Sequence, residues 1–190
     1  FFNGTGLNNQ PTGLVAKMPA AQVITASANG LLVELGNTAA QKTAQQKYIE
    51  LLDQLIESVD GGAQVIYMDG KLWSRTNSIA REYINYEKNE FGIMIPYYAG
   101  IPIRPAGYDV SGNRIIPHTE TVGESADCTS VYAVRFGERS DLTIASNVGI
   151  EVKDEGLVGN FYTYSVELDC ELSLLNNKSV AKIEGIRLGS

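Results

Sequence analysis

The sequence predicts an α+β fold, on three observations. Residues 39–59 carry Tyr48, Leu51, Leu52, Leu55, Ile56 and Val59 at the three-and-four spacing of one apolar helical stripe. Helical patterns then give way to strand patterns in the second half, the segregation expected of α+β chains. Finally, residues 162–174 alternate without a fault. Tyr162, Tyr164, Val166, Leu168, Cys170, Leu172 and Leu174 fall on one face, and Thr163, Ser165, Glu167, Asp169, Glu171 and Ser173 on the other. As one strand this run would span roughly 43 Å at about 3.3 Å per residue. Such a rod joins two parts of a molecule and points to an architectural role. The alternative is two consecutive strands with a bend between them.

Taken in order, residues 1–14 are rich in Gly, Asn and Thr and read as a loop. Their GTGLNN run resembles the start of a dinucleotide-binding glycine loop, but the third glycine is absent and no strand precedes it. Short extended pieces at 23–25 and 31–35 flank Asn29-Gly30. Gly61-Gly62 stops the long helix. Residues 63–68 form a short apolar run, a buried strand. Asp69 then caps a second helix running from about Lys71 through Leu72, Thr76, Ile79, Ala80 and Tyr83, with Trp73 packed beside that face.

Residues 92–95 and 100–104 are strand-like, and Pro102 and Pro105 mark sheet edges. The stretch 105–129 is turn-rich, and Ser111-Gly112-Asn113 suggests a projecting hairpin or loop. Residues 131–136 form another strand. Residues 141–153 alternate in part, Gly156 and Gly159 make the turn into the long strand, and Asn176-Asn177 ends it. Residues 180–186 close the chain as a last strand.

The chain has 190 residues, 44% of them hydrophobic, enough for one large domain or two small interwoven ones. It begins at Phe1 rather than Met, which points to a fragment or a processed product. No run approaches the roughly 18 unbroken apolar residues of a membrane span. A net charge of −7, with scattered basic residues, argues against a dedicated nucleic-acid binder.

Chemistry is not what the sequence advertises. Cys128 and Cys170 lack metal-ligand spacing; Cys170 reads as a small core residue, with a disulfide to Cys128 as the alternative. The single histidine, His118, cannot build a His-rich metal site. With Cys128, and Asp127 to orient it, His118 could form a nucleophile–base pair. A surface-loop histidine is the plainer reading. Glu167, Asp169 and Glu171 could hold a hard cation, or simply form a solvated or inter-subunit polar face. Tyr97-Tyr98 near Trp73 is the candidate for an aromatic ligand platform. No residue is therefore expected to be catalytic, cofactor-binding or metal-ligating, and no cofactor is expected.

Several segments, in order, resemble one family. FFNGTGLNNQPTGL is similar to the FxNGxGxxxPxGL segment of tailed-phage major capsid proteins. The 39–59 helix followed by QVIYMDGKLWSRTNSI resembles the family's helix, strand and packing helix. GIPIRPAG and SVYAVRFGE resemble two of its strands, and VELDCELSLLNNKSVAKIEGIRL its return segment. The resemblance implies the Hong Kong 97-type capsid fold: an axial-type domain at 1–137 and 171–190, with a peripheral-domain excursion at 138–170 containing the long strand. The family's N-terminal arm, extended loop and spine helix precede the FxNG segment and have no counterpart here. The resemblance implies a structural subunit of an icosahedral tailed-phage or prophage capsid, not an enzyme. Its partners would be other copies of itself, in hexamers and pentamers, and scaffold or portal proteins, with no specific nucleic-acid contact and no membrane. It would be made in the bacterial cytoplasm and reside in the virion. A bacterial nanocompartment (encapsulin-like) shell protein is the close alternative, and a non-viral ligand-binding module a more distant one. No cross-linking residue is carried over.

Overall fold

The computed structural model describes residue 2 and residues 11–88, 90–147 and 149–189. The GTGLNN run lies outside the described residues. The first helical elements among the described residues are a short helix, α1 (Leu14–Lys17), and a single 3-10 turn, Ala20–Gln22. Strands β1 (Val23–Thr25) and β2 (Leu31–Val33) follow, with Gly30 in the left-handed region between them.

The long helix α2 spans Ala39–Glu57. Its start is fixed by a capping box. Thr38 Oγ1 accepts the Gln41 N–H at 3.3 Å, and Gln41 Oε1 accepts the Thr38 N–H at 3.2 Å. Tyr48, Leu51, Leu52 and Leu55 are its buried stripe, as the spacing predicts. Past its end, Gly61 and Gly62 both take positive φ and turn the chain into β3 (Val65–Met68). Asp69 caps α3 (Gly70–Ile79), accepting the Lys71 N–H at 2.9 Å.

From here the structure departs from the sequence-based expectation. The helical stripe does not reach Tyr83. It ends at Ile79, and β4 (Ile84–Lys88) forms a hairpin with β5 (Met94–Tyr98). The strand expected at 92–95 thus begins two residues later and belongs to this hairpin. Next comes β6 (Ile101–Pro105), whose prolines do not mark a sheet edge. Pro102 is tolerated because β6 changes partner there: residues 101–102 pair with β5, and residues 103–105 run parallel to β3. The turn-rich stretch contains β7 (Glu120–Val122), and β8 (Ser125–Val134) begins well before the expected 131. The strands that follow are β9 (Leu142–Ser146), β10 (Glu151–Val158), β11 (Phe161–Glu167), β12 (Cys170–Leu174) and β13 (Val180–Leu188).

Among the described residues these strands form one nine-stranded mixed sheet and two two-stranded ladders. The large sheet runs β1-β13-β8-β3-β6-β5-β4, with β2 also on β13 and β7 on β8. Its central strands read as nearly unbroken apolar runs because both faces are covered. Ile66, Met68, Val131, Ala133 and Ile183 point to the face under α2 and α3. Val65, Tyr132, Val134 and Val180 point to the other face, where Phe2, Leu14, Ile116, Leu142 and Leu172 cover them. The interruption in β13 between Ile183 and Ile186, with Gly185 at φ +79°, returns Ile186 to the helix-side core.

The thirteen-residue rod is not observed. Residues 161–167 and 170–174 are separate strands, the alternative in which a bend divides the run. The cause is a change of partner. β9 ends at Ser146 and β10 begins at Glu151, so β12 pairs with β9 while β11 pairs with β10. At the break, Ser146 Oγ donates to the Asp169 carbonyl at 2.8 Å. The partly alternating run at 141–153 likewise divides into β9 and the start of β10.

Candidate assembly surface

Each of the two ladders carries an apolar face, the first rooted in the core and the second exposed. In the first, β9 and β12 place Leu142 opposite Leu174 and Ile144 opposite Leu172. Leu142 and Leu172 are buried in the smaller core, and Lys17 from α1 secures the strand by an ion pair to Glu171 and a hydrogen bond to the Leu172 carbonyl. The Lys17 ammonium holds the Glu171 carboxyl below the usual carboxylate range.

Farther out, β10 and β11 form a ribbon with two unlike faces. Directly opposed residues in an antiparallel pair share a face. Val152 opposes Val166, Asp154 opposes Tyr164, and Leu157 opposes Tyr162. On the other face Glu151 opposes Glu167 and Lys153 opposes Ser165, with Lys153 Nζ 2.6 Å from Glu167 and 3.8 Å from Glu151. The apolar side chains are not buried: Tyr162 is 70% exposed, Tyr164 58% and Val166 67%.

A β-bulge keeps this face continuous. Strict alternation would place Gly156, not Leu157, beside Val152 and Asp154. The register shifts between Asp154 and Gly156, which leaves Glu155 as the extra residue. Gly156 has φ +74°, and its N–H donates to Asp154 Oδ1 at 2.8 Å. Gly156 is therefore part of the bulge and not of the turn into β11. Alternation on β11 alone reveals half of this surface. The Asp154-Glu155-Gly156 triplet is the signal that would have revealed the other half.

Among the described residues, no hydrogen bond or ion pair links the residues weighed for chemistry to one another. Cys128 Sγ is buried beside the Ser125 carbonyl at 3.5 Å, and desolvation pushes its thiol pKa up. Among the described residues His118 Nδ1 is buried without a hydrogen-bond partner, and the Cys128 thiol faces the Ser125 and Ala126 carbonyls. Asp127 sits in the left-handed region at φ +59°. Cys128 and Cys170 are both free. Glu167 and Glu171 turn to different lysines, Lys153 and Lys17. The Tyr97-Tyr98 platform does not form: Tyr98 is buried and donates to Asp53 Oδ1 at 2.6 Å, while Trp73 packs against the helix-side core.

The architecture has solved counterparts. The chain superposes on the SrpI encapsulin of Synechococcus elongatus PCC 7942, seen in its holo complex, with a TM-score of 0.63 and 15% identity. The match covers 93% of this chain and 57% of that one. The chain has the Hong Kong 97-type fold. The capsid protein of an empty GTA particle matches with a TM-score of 0.51 and 12% identity, over 98% of this chain and 60% of that one. The chain thus spans less than two thirds of either counterpart. No protein-family model and no curated protein sequence matches it. Within this Hong Kong 97-type fold, β10–β11 is an arm whose apolar face the described chain leaves in solvent.

Proposed function

We propose that the chain is a structural subunit of an icosahedral shell of tailed-phage or prophage type. Its work is mechanical rather than catalytic: repeated contact between copies arranged by symmetry, in hexamers and pentamers. The observation that carries this reading is the exposed apolar face of the β10–β11 ribbon. An isolated two-stranded ribbon is marginal in water, and one that presents tyrosines, valines and a leucine to solvent is built to be covered. The fold supports the same reading. Residues 1–137 and 171–190 are the axial-type part and 138–170 the peripheral excursion. Scaffold and portal proteins would be further partners, and the subunit would be made in the bacterial cytoplasm and reside in the virion capsid. An acidic subunit in contact with packaged DNA would resist adhering to it.

The test is Tyr164→Asp in the full-length protein that carries this chain. The exposed position predicts unchanged folding by circular dichroism and loss of large species in sedimentation velocity. Retention of the native particle distribution would refute a role for this face in assembly.

The similarity to an encapsulin favours one second reading, a bacterial nanocompartment shell. It predicts that particles purified from the native host contain a packaged protein whose terminal peptide binds the purified shell. Particles containing DNA and no such protein support the capsid reading.

A further inference from the structure

An ion pair sits where the β9–β12 ladder leaves the body. Asp141, the residue before β9, is buried, and its Oδ2 accepts the Arg135 Nε–H at 3.2 Å and the Ser140 hydroxyl at 2.9 Å. Arg135 directly follows β8, and its Nη1 donates to the Asp60 carbonyl at 3.1 Å in the turn after α2. The backbone of the same two residues joins further segments. The Asp141 carbonyl accepts the Leu175 N–H just past β12, and the Arg135 N–H donates to the Ser179 carbonyl just before β13. One pair thus gathers the α2–β3 turn, the end of β8, the head of β9 and the end of β12.

The backbone is shaped around this pair. A Cβ on Gly61 would strike the Arg135 guanidinium, and a Cβ on Gly137 would strike the Asp141 carboxylate. Arg139, in the loop that wraps the carboxylate, takes φ +68°, which is costly for a residue with a side chain. Stability alone does not account for this. A buried pair gains little net stability, because desolvation offsets the attraction. It does supply direction, since the guanidinium is a rigid fork with two acceptors here. Leu142 and Leu172 attach the ladder to the smaller core, but apolar contact is non-directional.

We propose that Arg135 and Asp141 are positioning residues: their pair sets the angle at which β9 and β12 leave the body. It thereby sets where the β10–β11 ribbon stands when copies assemble. This rests on the shell reading and names the residues that give its subunits a single shape.

Electron-spin distance measurement tests it in the full-length protein, in a Cys170→Ser background. Labels go on Lys47→Cys, exposed on α2, and Ala145→Cys, exposed on β9. Labelled subunits are diluted in an excess of unlabelled ones, so the distance read lies within one subunit. The parent is expected to give one narrow distance. Arg135→Met with Asp141→Asn removes both charges together and strands neither. This double variant is expected to unfold at a midpoint like the parent's, yet to shift and broaden the distance and lower the share of particles at the parent diameter. Gly137→Ala keeps both charges but pushes the carboxylate off Arg135, and is expected to shift the distance too. Where the double variant does not fold, Gly137→Ala decides. A parent-like distance in either folded variant overturns the positioning role, even if the unfolding midpoint has dropped, since that is the mark of a pair that only stabilises. Particles from the unmodified protein would leave the shell reading standing in that case. Absence of those particles defeats the shell reading whatever the distances, and the role in assembly with it.

Discussion

The guanidinium of Arg114 is ion-paired with the carboxylate of Asp69, and that carboxylate also accepts the Lys71 N–H in the first turn of α3. One buried acid therefore does two jobs. It starts the helix and holds the return limb of the projecting 107–116 loop against the body. Arg114 also lies over the Tyr108 ring, 5.3 Å from its centroid, which ties the two limbs of that loop together.

Arg114→Ala leaves the Asp69 side chain buried with its charge only partly compensated. The expected loss is about 3 kcal/mol, the lower end of the range for breaking a buried pair from one side. Urea unfolding measures it, and hydrogen exchange at 107–116 should rise. A loss below about 0.5 kcal/mol, the scale of an exposed pair, would show that the pair is not structural.

Tyr48 Oη and Thr76 Oγ1 lie 2.7 Å apart between α2 and α3, both residues fully buried. Thr76 Oγ1 also donates to the Leu72 carbonyl at 2.8 Å, so Tyr48→Phe leaves the hydroxyl of Thr76 with a partner. Thr76→Val strands the phenol instead. The threonine variant is expected to cost about 2 kcal/mol and the tyrosine variant about 1 kcal/mol. Equal losses, or the reverse order, would contradict this assignment.

Burial pushes the phenols of Tyr48 and Tyr132 well above the usual tyrosine range, desolvation being the main cause in each. In the unfolded chain they ionise near pH 10, roughly the unperturbed value. Above that pH the unfolded state binds fewer protons than the native state, so stability falls as pH rises. The contribution of these phenols is fully present below about pH 10 and is lost progressively above it. Thermal unfolding midpoints should be flat from neutral pH to about 9 and drop beyond 10, less steeply in Tyr48→Phe. A midpoint independent of pH up to 11 would refute the burial of these side chains.

Deletion of Glu155 removes the bulge but keeps the register: Gly156 then follows Asp154 directly, still opposite Thr163, and Leu157 stays opposite Tyr162 on the apolar face. The expected result is retained assembly with an unfolding midpoint like that of the parent, since the ribbon lies outside both cores. Loss of assembly on this deletion would show that an intact apolar face is not sufficient.

Gly123 tests the packing of the β7–β8 turn. It has φ +60°, and a Cβ there would stand 2.1 Å from the Ala28 carbonyl oxygen. Gly123→Ala is expected to cost more than the roughly 1–2 kcal/mol of a left-handed alanine, because backbone must also move. Denaturant unfolding reads this directly, and a cost under 1 kcal/mol would contradict the geometry.

Local rules made much of this fold legible. The stripe of α2, the Asp69 cap and the two-sided apolar run around Val131 each follow from short-range pattern. The fold class follows from the order of such segments, and the Hong Kong 97-type fold from their resemblance to one family. Pairing was less legible. Alternation from Tyr162 to Leu174 assigns faces, but it is silent on which strand lies alongside, so it does not reveal the change of partner at Leu168-Asp169. The β4–β5 hairpin was hidden because Tyr83 extends the spacing of α3 past its true end at Ile79. Pro102 suggested an edge because a strand that changes neighbours halfway cannot be told from an edge strand by composition. The candidate surface was half legible for the same reason: β11 alternates cleanly, whereas β10 joins it only through a bulge.

The most direct test is electron microscopy of the purified full-length protein that carries this chain, at micromolar concentration and physiological salt. The shell reading predicts closed particles of uniform diameter built from this subunit. A monodisperse population of monomers, with no larger species under any salt condition that keeps the protein folded, would contradict it.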